Sequence, residues 1–255
     1  MVVAPYDSKF FSAQASGSLR SAREVISVVR EMIEPRSVVD VGCGVGTWLK
    51  VWQDLGVEKT LGIDGDYVQA DQLLIPQDRF RPMNLSTPTK LETYFDLVES
   101  LEVAEHLSES SADGFVSFLC SLGKVILFSA AIPLQEGTHH INEQWPEYWA
   151  ELFLSKGYVP IDGIRDRIWN NPNVDSWYCQ NTLIFVEAQH RATLPGLQAL
   201  PVVPPHGPPA RVHPRQWMAR NERASHLEKL LKALPQGVYH FPNRLMRKLR
   251  GPSAR

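Results

Sequence analysis

Apolar residues recur at steps of three and four from Ser18 to Glu34, through Leu19, Ala22, Val25, Ile26, Val29 and Ile33, and predict a helix that Pro35 ends. The period then changes. Ser37-Val38-Val39-Asp40-Val41 is a short β-branched run stopping at glycine, the pattern of a buried parallel strand. Further runs at Thr60–Ile63, Phe95–Ser100, Val125–Ser129, Tyr158–Ile164 and Thr182–Glu187 are separated mostly by helix-length segments. Strands alternating with helices predict an α/β fold with a doubly wound, mostly parallel sheet covered on both faces.

Past Glu187 the pattern fails. Pro195-Gly196 and the proline-rich stretch from Pro201 to Pro209 cannot build a packed core and predict an extended linker. The expected division is therefore a folded domain on residues 1–190 and a linker with a basic C-terminal extension on 191–255. Within the extension, Trp217–Leu234 predicts a short helix and Phe241–Arg250 a basic apolar turn.

Charge sharpens that division. Residues 191–255 hold 12 Lys or Arg against 2 Asp or Glu, a balance of +10, whereas the rest holds 14 against 26, a balance of −12. An acidic domain repels phosphates, so a neutral or cationic small molecule is the expected partner and nucleic acid is not. The basic tail is open to weak contact with an anionic membrane surface, to docking on its own domain, or to no fixed structure. Cys43, Cys120 and Cys179 are too few and too scattered for a disulfide framework or a zinc site. Without an apolar run long enough to span a bilayer or a signal-peptide pattern at the start, the chain reads as cytoplasmic. Oligomeric state is not legible.

A strand running into Gly42-Cys43-Gly44-Val45-Gly46, with a helix beginning near Thr47, is a design for cradling a nucleotide. Glycines let the backbone turn sharply and a ligand lie against it, and the helix start offers unpaired N–H groups. Asp64 closes the next strand, Leu61-Gly62-Ile63, where a carboxylate accepts both hydroxyls of a ribose. The phosphate-binding spacing GxGxxG is absent, which favours a nucleoside over a dinucleotide.

The string from Val38 to Trp48 resembles motif I of the class I S-adenosylmethionine-dependent methyltransferases, and Leu61-Gly62-Ile63-Asp64 resembles their motif II. The resemblance covers roughly Ser18 to Glu187. It implies a Rossmann-like, seven-stranded sheet and S-adenosylmethionine as cofactor, with S-adenosylhomocysteine as product. It implies Asp40 at the methionine part, Gly42, Cys43, Gly44 and Gly46 along the cofactor, and Asp64 on the ribose. Asn84 and Leu85 fall where the family places an aspartate and an apolar residue against adenine; Asn84 departs from that acid but keeps an acceptor oxygen.

Phe95 to Leu107, containing Glu102-Val-Ala-Glu105-His106, resembles motif IV of small-molecule O-methyltransferases, so Ser100 to His106 are expected to border cofactor and acceptor. Methyl transfer to an alcohol needs alignment and a base, and a neutral histidine suits that task. Glu105, His106 and His140 are the catalytic candidates. The polar loop 133–145 supplies His140, preferred as base because Asn142 lies close enough in sequence to orient it, and offers His139, Asn142, Glu143 and Trp145, with Trp149 just beyond it, to a polar acceptor. A further likeness, from Ala130 to Pro146, is to a bacterial group linked with sugar and polysaccharide pathways, which implies a carbohydrate or similar small polar acceptor. No metal is expected in this reading. Its rivals are a metal-dependent enzyme, since Glu102, Glu105, His106 and His140 resemble the metal-holding set of small-RNA 2′-O-methyltransferases, and a cofactor-binding scaffold without catalysis.

Overall fold

The computed structural model describes residues 8–203 and 210–233. Helix α1 (Ser8–Arg30) begins at Ser8 rather than Ser18 and ends at Arg30 rather than Glu34. Ala22, Val25, Ile26 and Val29 form its buried stripe. The described residues then form strands β1 (Ser37–Val41), β2 (Lys59–Asp64), β3 (Phe80–Pro82), β4 (Leu97–Leu101), β5 (Val125–Ser129), β6 (Tyr158–Ile161) and β7 (Leu183–Glu187). β6 stops three residues before the expected Ile164 because Asp162 turns aside to receive Arg165 through two hydrogen bonds of 2.9 and 2.6 Å.

These strands make one seven-stranded sheet in the order β3-β2-β1-β4-β5-β7-β6, the doubly wound arrangement expected. β7 alone runs against its neighbours, between β5 and β6. The order reverses direction between β1 and β4, and the carboxyl ends of strands at such a reversal form a crevice for ligands.

Every position of β1, β4 and β5 is buried, which is why these strands read as nearly continuous apolar runs. On one face Ile26 of α1 packs with Leu49 and Trp52 of α2 (Thr47–Asp54). On the other, Phe115 and Leu119 of α3 (Ala112–Leu122) meet Phe153 of α4 (Pro146–Ser155). Phe153 stacks on Phe185 of β7 with centroids 4.0 Å apart. Full burial of each such side chain stabilises the fold by roughly 1.5–3 kcal/mol. Cys43 and Cys179 are buried and Cys120 half-buried, all as free thiols.

Two short helices, α5 (Arg165–Ile168) and α6 (Ser176–Asn181), precede β7. The compact unit containing the sheet runs to His213, beyond the boundary near residue 190 drawn from composition. Helix α7 (Pro195–Gln198) buries Leu197, and the Val203 amide donates to the Pro160 carbonyl at 3.0 Å. His213 is buried, its amide donating to Gln180 Oε1 at 2.8 Å and its Nε2 lying 2.7 Å from the Trp169 carbonyl. Proline density had masked these tertiary contacts.

A second unit starts at Pro214 and holds α8 (Pro214–Ala233), with Trp217 and Met218 exposed. The turn expected over Phe241–Arg250 lies outside the described residues, as does most of the proline-rich stretch. Among the described residues no helix is long and apolar enough to cross a membrane.

Candidate active site

β1 ends in a bend whose glycines are required by geometry. Gly42 has φ +88°, and a Cβ there would stand 2.3 Å from Val103 Cγ2. Its amide donates to the Ile63 carbonyl at 2.7 Å, so the bend is sewn to β2. The Gly44 amide donates to Asp64 Oδ2 at 2.7 Å and the Gly65 amide to Oδ1 at 2.6 Å, while the Tyr67 hydroxyl donates to Oδ1 as well. Burial raises the Asp64 carboxyl above its ordinary range, and those three donors pull it back down. Oδ2 retains capacity to accept a further hydrogen bond.

Bend and carboxylate open on a cavity of about 770 Å³, a size suited to a nucleoside with an amino-acid arm. Gly42, Gly44, Asp64, Asn84 and Leu85 are on its wall, facing Glu102 and His106. The other residues expected to touch cofactor stand behind that wall. Cys43 turns its sulfur toward Gly62, and Gly46 caps α2 with φ +82° against Ile75. Asp40 is buried next to Asp64, and the fully buried Ser100 hydroxyl has no hydrogen-bond partner. Asn84 Oδ1 accepts from the Ser86 amide at 2.9 Å, forming a turn around the residue that also lines the cavity.

The turn 104–106 after β4 reaches the cavity through His106, and the loop 133–145 after β5 packs on that turn. The Glu105 carbonyl accepts from the amides of Ile141 and Asn142 at 2.9 and 3.0 Å, which pins the loop onto the turn. Glu143 organises the loop from within. It accepts from the amides of Leu134 and Glu136, and its Oε1 lies 2.9 Å from His140 Nδ1. The residue orienting His140 is therefore Glu143 and not Asn142, whose oxygen accepts from Gln144 Nε2 at 3.0 Å. Glu102, Leu134, Glu136 and His139 all adopt positive φ without being glycine, a concentration of left-handed backbone typical of functional loops.

Glu105, His106 and His140 converge. Their nearest ligating atoms all lie within 4.8 Å of one another. His140 Nε2 is 3.9 Å from Glu105 Oε1, and the two imidazoles meet edge to face at 4.9 Å. Glu105 is wholly buried, with no side-chain donor on either carboxyl oxygen and only the backbone amides of Glu105 and Ala131 within reach, and His106 Nδ1 is unpartnered. Burial, reinforced by Glu102 and only partly offset by the backbone amides of Glu105 and Ala131, pushes the Glu105 carboxyl well above its usual range. Burial and the nearby His140 lower His106 to about 4, so that it is neutral at physiological pH.

Other expected acceptor residues separate. His139 is exposed, and Trp149 belongs to the core, 5.5 Å from Phe128. Trp145 is 43% exposed on a shallow groove with Tyr148 and Glu151, apart from the cavity. A carboxamide array absent from the sequence reading holds Glu102. Gln135 Nε2 donates to its Oε2 at 2.7 Å and Asn181 Nδ2 to its Oε1 at 3.0 Å, while Gln180 Nε2 donates to Gln135 Oε1. The signal available was the polar pair Gln180-Asn181 interrupting an apolar approach to β7.

A family model described as a methyltransferase domain matches residues 14–153. The chain belongs to this family. The motifs around Gly42 and Asp64 make it a class I, S-adenosylmethionine-dependent methyltransferase. Solved structures of low sequence identity share the fold. DesVI of Streptomyces venezuelae aligns with a TM-score of 0.52 at 14% identity, over 71% of this chain and 96% of its own. A SAM dependent methyltransferase from Archaeoglobus fulgidus aligns at 0.51 and 17% identity, over 71% and 100%. The methyltransferase also aligns at 0.51 and 13% identity with an O-methyltransferase structure from Nostoc punctiforme, over 70% of its own length and 59% of that protein's. No curated protein matches the sequence significantly.

Proposed function

We propose that this methyltransferase methylates a hydroxyl oxygen of a small polar molecule, such as a sugar, with His140 as general base. The observation that carries this reading is the Glu143–His140 pair beside Glu105 and His106. Donation of the Nδ1 proton to Glu143 fixes the tautomer and leaves the Nε2 lone pair free to take a proton. His106, lowered to about 4, is too weak a base for that step and serves as a neutral polar wall.

Bound S-adenosylmethionine would supply an electrophilic methyl group on sulfonium. The chain does the rest. Gly42 and Gly44 let the cofactor lie against the backbone, Asp64 accepts from its ribose, Asn84 and Leu85 flank its base, and His106, with Glu105 buried behind it, borders the acceptor. Alignment and proton removal are the protein's contribution to such a displacement. The acidic balance of residues 1–190 favours an acceptor without negative charge.

One observation supports a second reading. A wholly buried carboxylate without a side-chain donor is costly, and a divalent cation held by Glu105, His106 and His140 would satisfy it. Such an ion would lower the acceptor hydroxyl's hold on its proton. Glu102, the fourth ligand suggested by spacing, is already held by Gln135 and Asn181.

The test is transfer of labelled methyl to a metabolite extract, with products identified by mass. His140→Ala is expected to slow transfer by about 10²-fold or more with cofactor affinity retained; a loss below tenfold removes it as the base. Activity lost on complete chelation and restored by magnesium or manganese favours the second reading.

A further inference from the structure

Three carboxyl groups stand close together where β2, β1 and β4 reach the glycine bend. The parallel register sets Asp40 opposite Glu99 on one side and opposite Gly62, two residues before Asp64, on the other. Register partners in parallel strands direct their side chains to one face, and Gly62 has no side chain to separate Asp40 from Asp64. Glu99 is wholly buried. Its Oε1 accepts from Trp52 Nε1 at 2.7 Å, and its Oε2 has no hydrogen-bond partner.

Asp64 keeps its three donors and Glu99 its one, with little else to offset the burial of these acids. The face covered by α1 and α2 is apolar, with Leu49 and Trp52 buried there, and β5 sets Leu127 beside Glu99. The Cys43 thiol is the other titratable group, itself pushed up by burial and by Asp40 and Asp64. Among the described residues no Lys or Arg stabilises Asp40 or Glu99. Burial and Asp64 raise Asp40 to about 8, and burial and Asp40 raise Glu99 well above the carboxylate range. The cluster thus retains protons at neutral pH and gives them up when positive charge arrives.

Cofactor and product differ in that charge. S-adenosylmethionine carries a net positive charge on its sulfonium, and S-adenosylhomocysteine is neutral overall. Resting on the reading that the cofactor occupies this cavity, we propose that Asp64, Asp40 and Glu99 together form a charge-selective acid cluster. It takes up the cationic donor with release of a proton to solvent and holds the neutral product less tightly. Glu99 is a positioning residue that acts through Asp40.

Calorimetric titration of the full chain with each nucleoside tests this between pH 5.5 and 7, below the range where the ligands' own amino groups titrate. In phosphate and imidazole buffers, the enthalpy of S-adenosylmethionine binding should differ by the heat of buffer protonation. Its affinity relative to S-adenosylhomocysteine should rise about fivefold to tenfold from pH 6 to 7. Glu99→Gln removes a carboxyl competing with Asp40 and should move that rise to lower pH. A constant affinity ratio with no buffer dependence in the wild-type protein overturns the proposal, whether or not the variant folds. A folded Glu99→Gln protein with an unaltered profile removes Glu99 from the cluster. Failure of both nucleosides to bind at any pH overturns the cofactor reading instead.

Discussion

The cavity wall at Asp64 and the polar cluster behind His106 bury carboxylates to the same degree and treat them oppositely. Asp64, 4% exposed, receives three donors from residues near the bend. Glu105, 0% exposed, receives no side-chain donor, and His106 Nδ1 and Asn142 Nδ2 beside it are unpartnered. A buried polar group without a partner costs about 1–3 kcal/mol, more when charged. At Asp64 the cofactor side is thus preorganised, whereas the acceptor side holds unmet hydrogen-bonding capacity that a substrate or an ion can satisfy. That difference suits an enzyme whose donor is constant and whose acceptor must be recognised.

The cofactor side breaks most readily at Gly42. Gly42→Ala puts a methyl against the stiff Val103 side chain and forces alanine to positive φ, so cofactor affinity should fall by about 10²-fold or more, with recovery of part of it in Gly42→Ala/Val103→Ala. Equilibrium binding of S-adenosylmethionine reads both. Asp64→Asn keeps shape but sets an amide donor among donors and removes the charge; a loss of about ten- to a hundredfold in cofactor affinity is expected in the same assay.

On the acceptor side the sign for stability reverses. Glu105→Gln removes a carboxyl whose burial favours its protonated form, so the ligand-free protein should gain about 1–2 kcal/mol at neutral pH while methyl transfer is lost. The pH dependence follows from a pKa raised on folding. Wild-type stability from this group is fully present below the ordinary Glu value and is lost as pH rises through the raised one, so thermal unfolding midpoints of wild type and variant should diverge with increasing pH. An identical pH profile for the two proteins would sink the account of Glu105. The smallest effect is expected at Asn181→Leu, which leaves Glu102 one donor short and should shift acceptor KM severalfold with cofactor affinity unchanged.

Much of the cofactor side was legible because its geometry is local. A β-branched run, three glycines and an acid at the end of the next strand fall in a fixed order, and the bend they make depends on few distant contacts. Asp40, Cys43, Gly46 and Ser100 belong to the same motifs, yet they support the wall from behind. Motif membership does not state which way a side chain points once strands are in register. The acceptor side was less legible. Glu105, His106 and His140 come together in space, but Glu143 took the role assigned to Asn142, and Trp149 went to the core.

By itself the sequence determined the alternation of strands and helices, the sheet it builds and the glycine bend with its acid, because these follow from short-range periodicity and backbone sterics. Only tertiary structure decided that Glu99 lies abreast of Asp40, that Gln135 and Asn181 meet at Glu102, and that Glu105 is sealed without a side-chain donor. Those facts join residues tens of positions apart. Their chemistry comes from removal of water and from the partners packing brings within reach, neither of which is written in the spacing of residues along a chain.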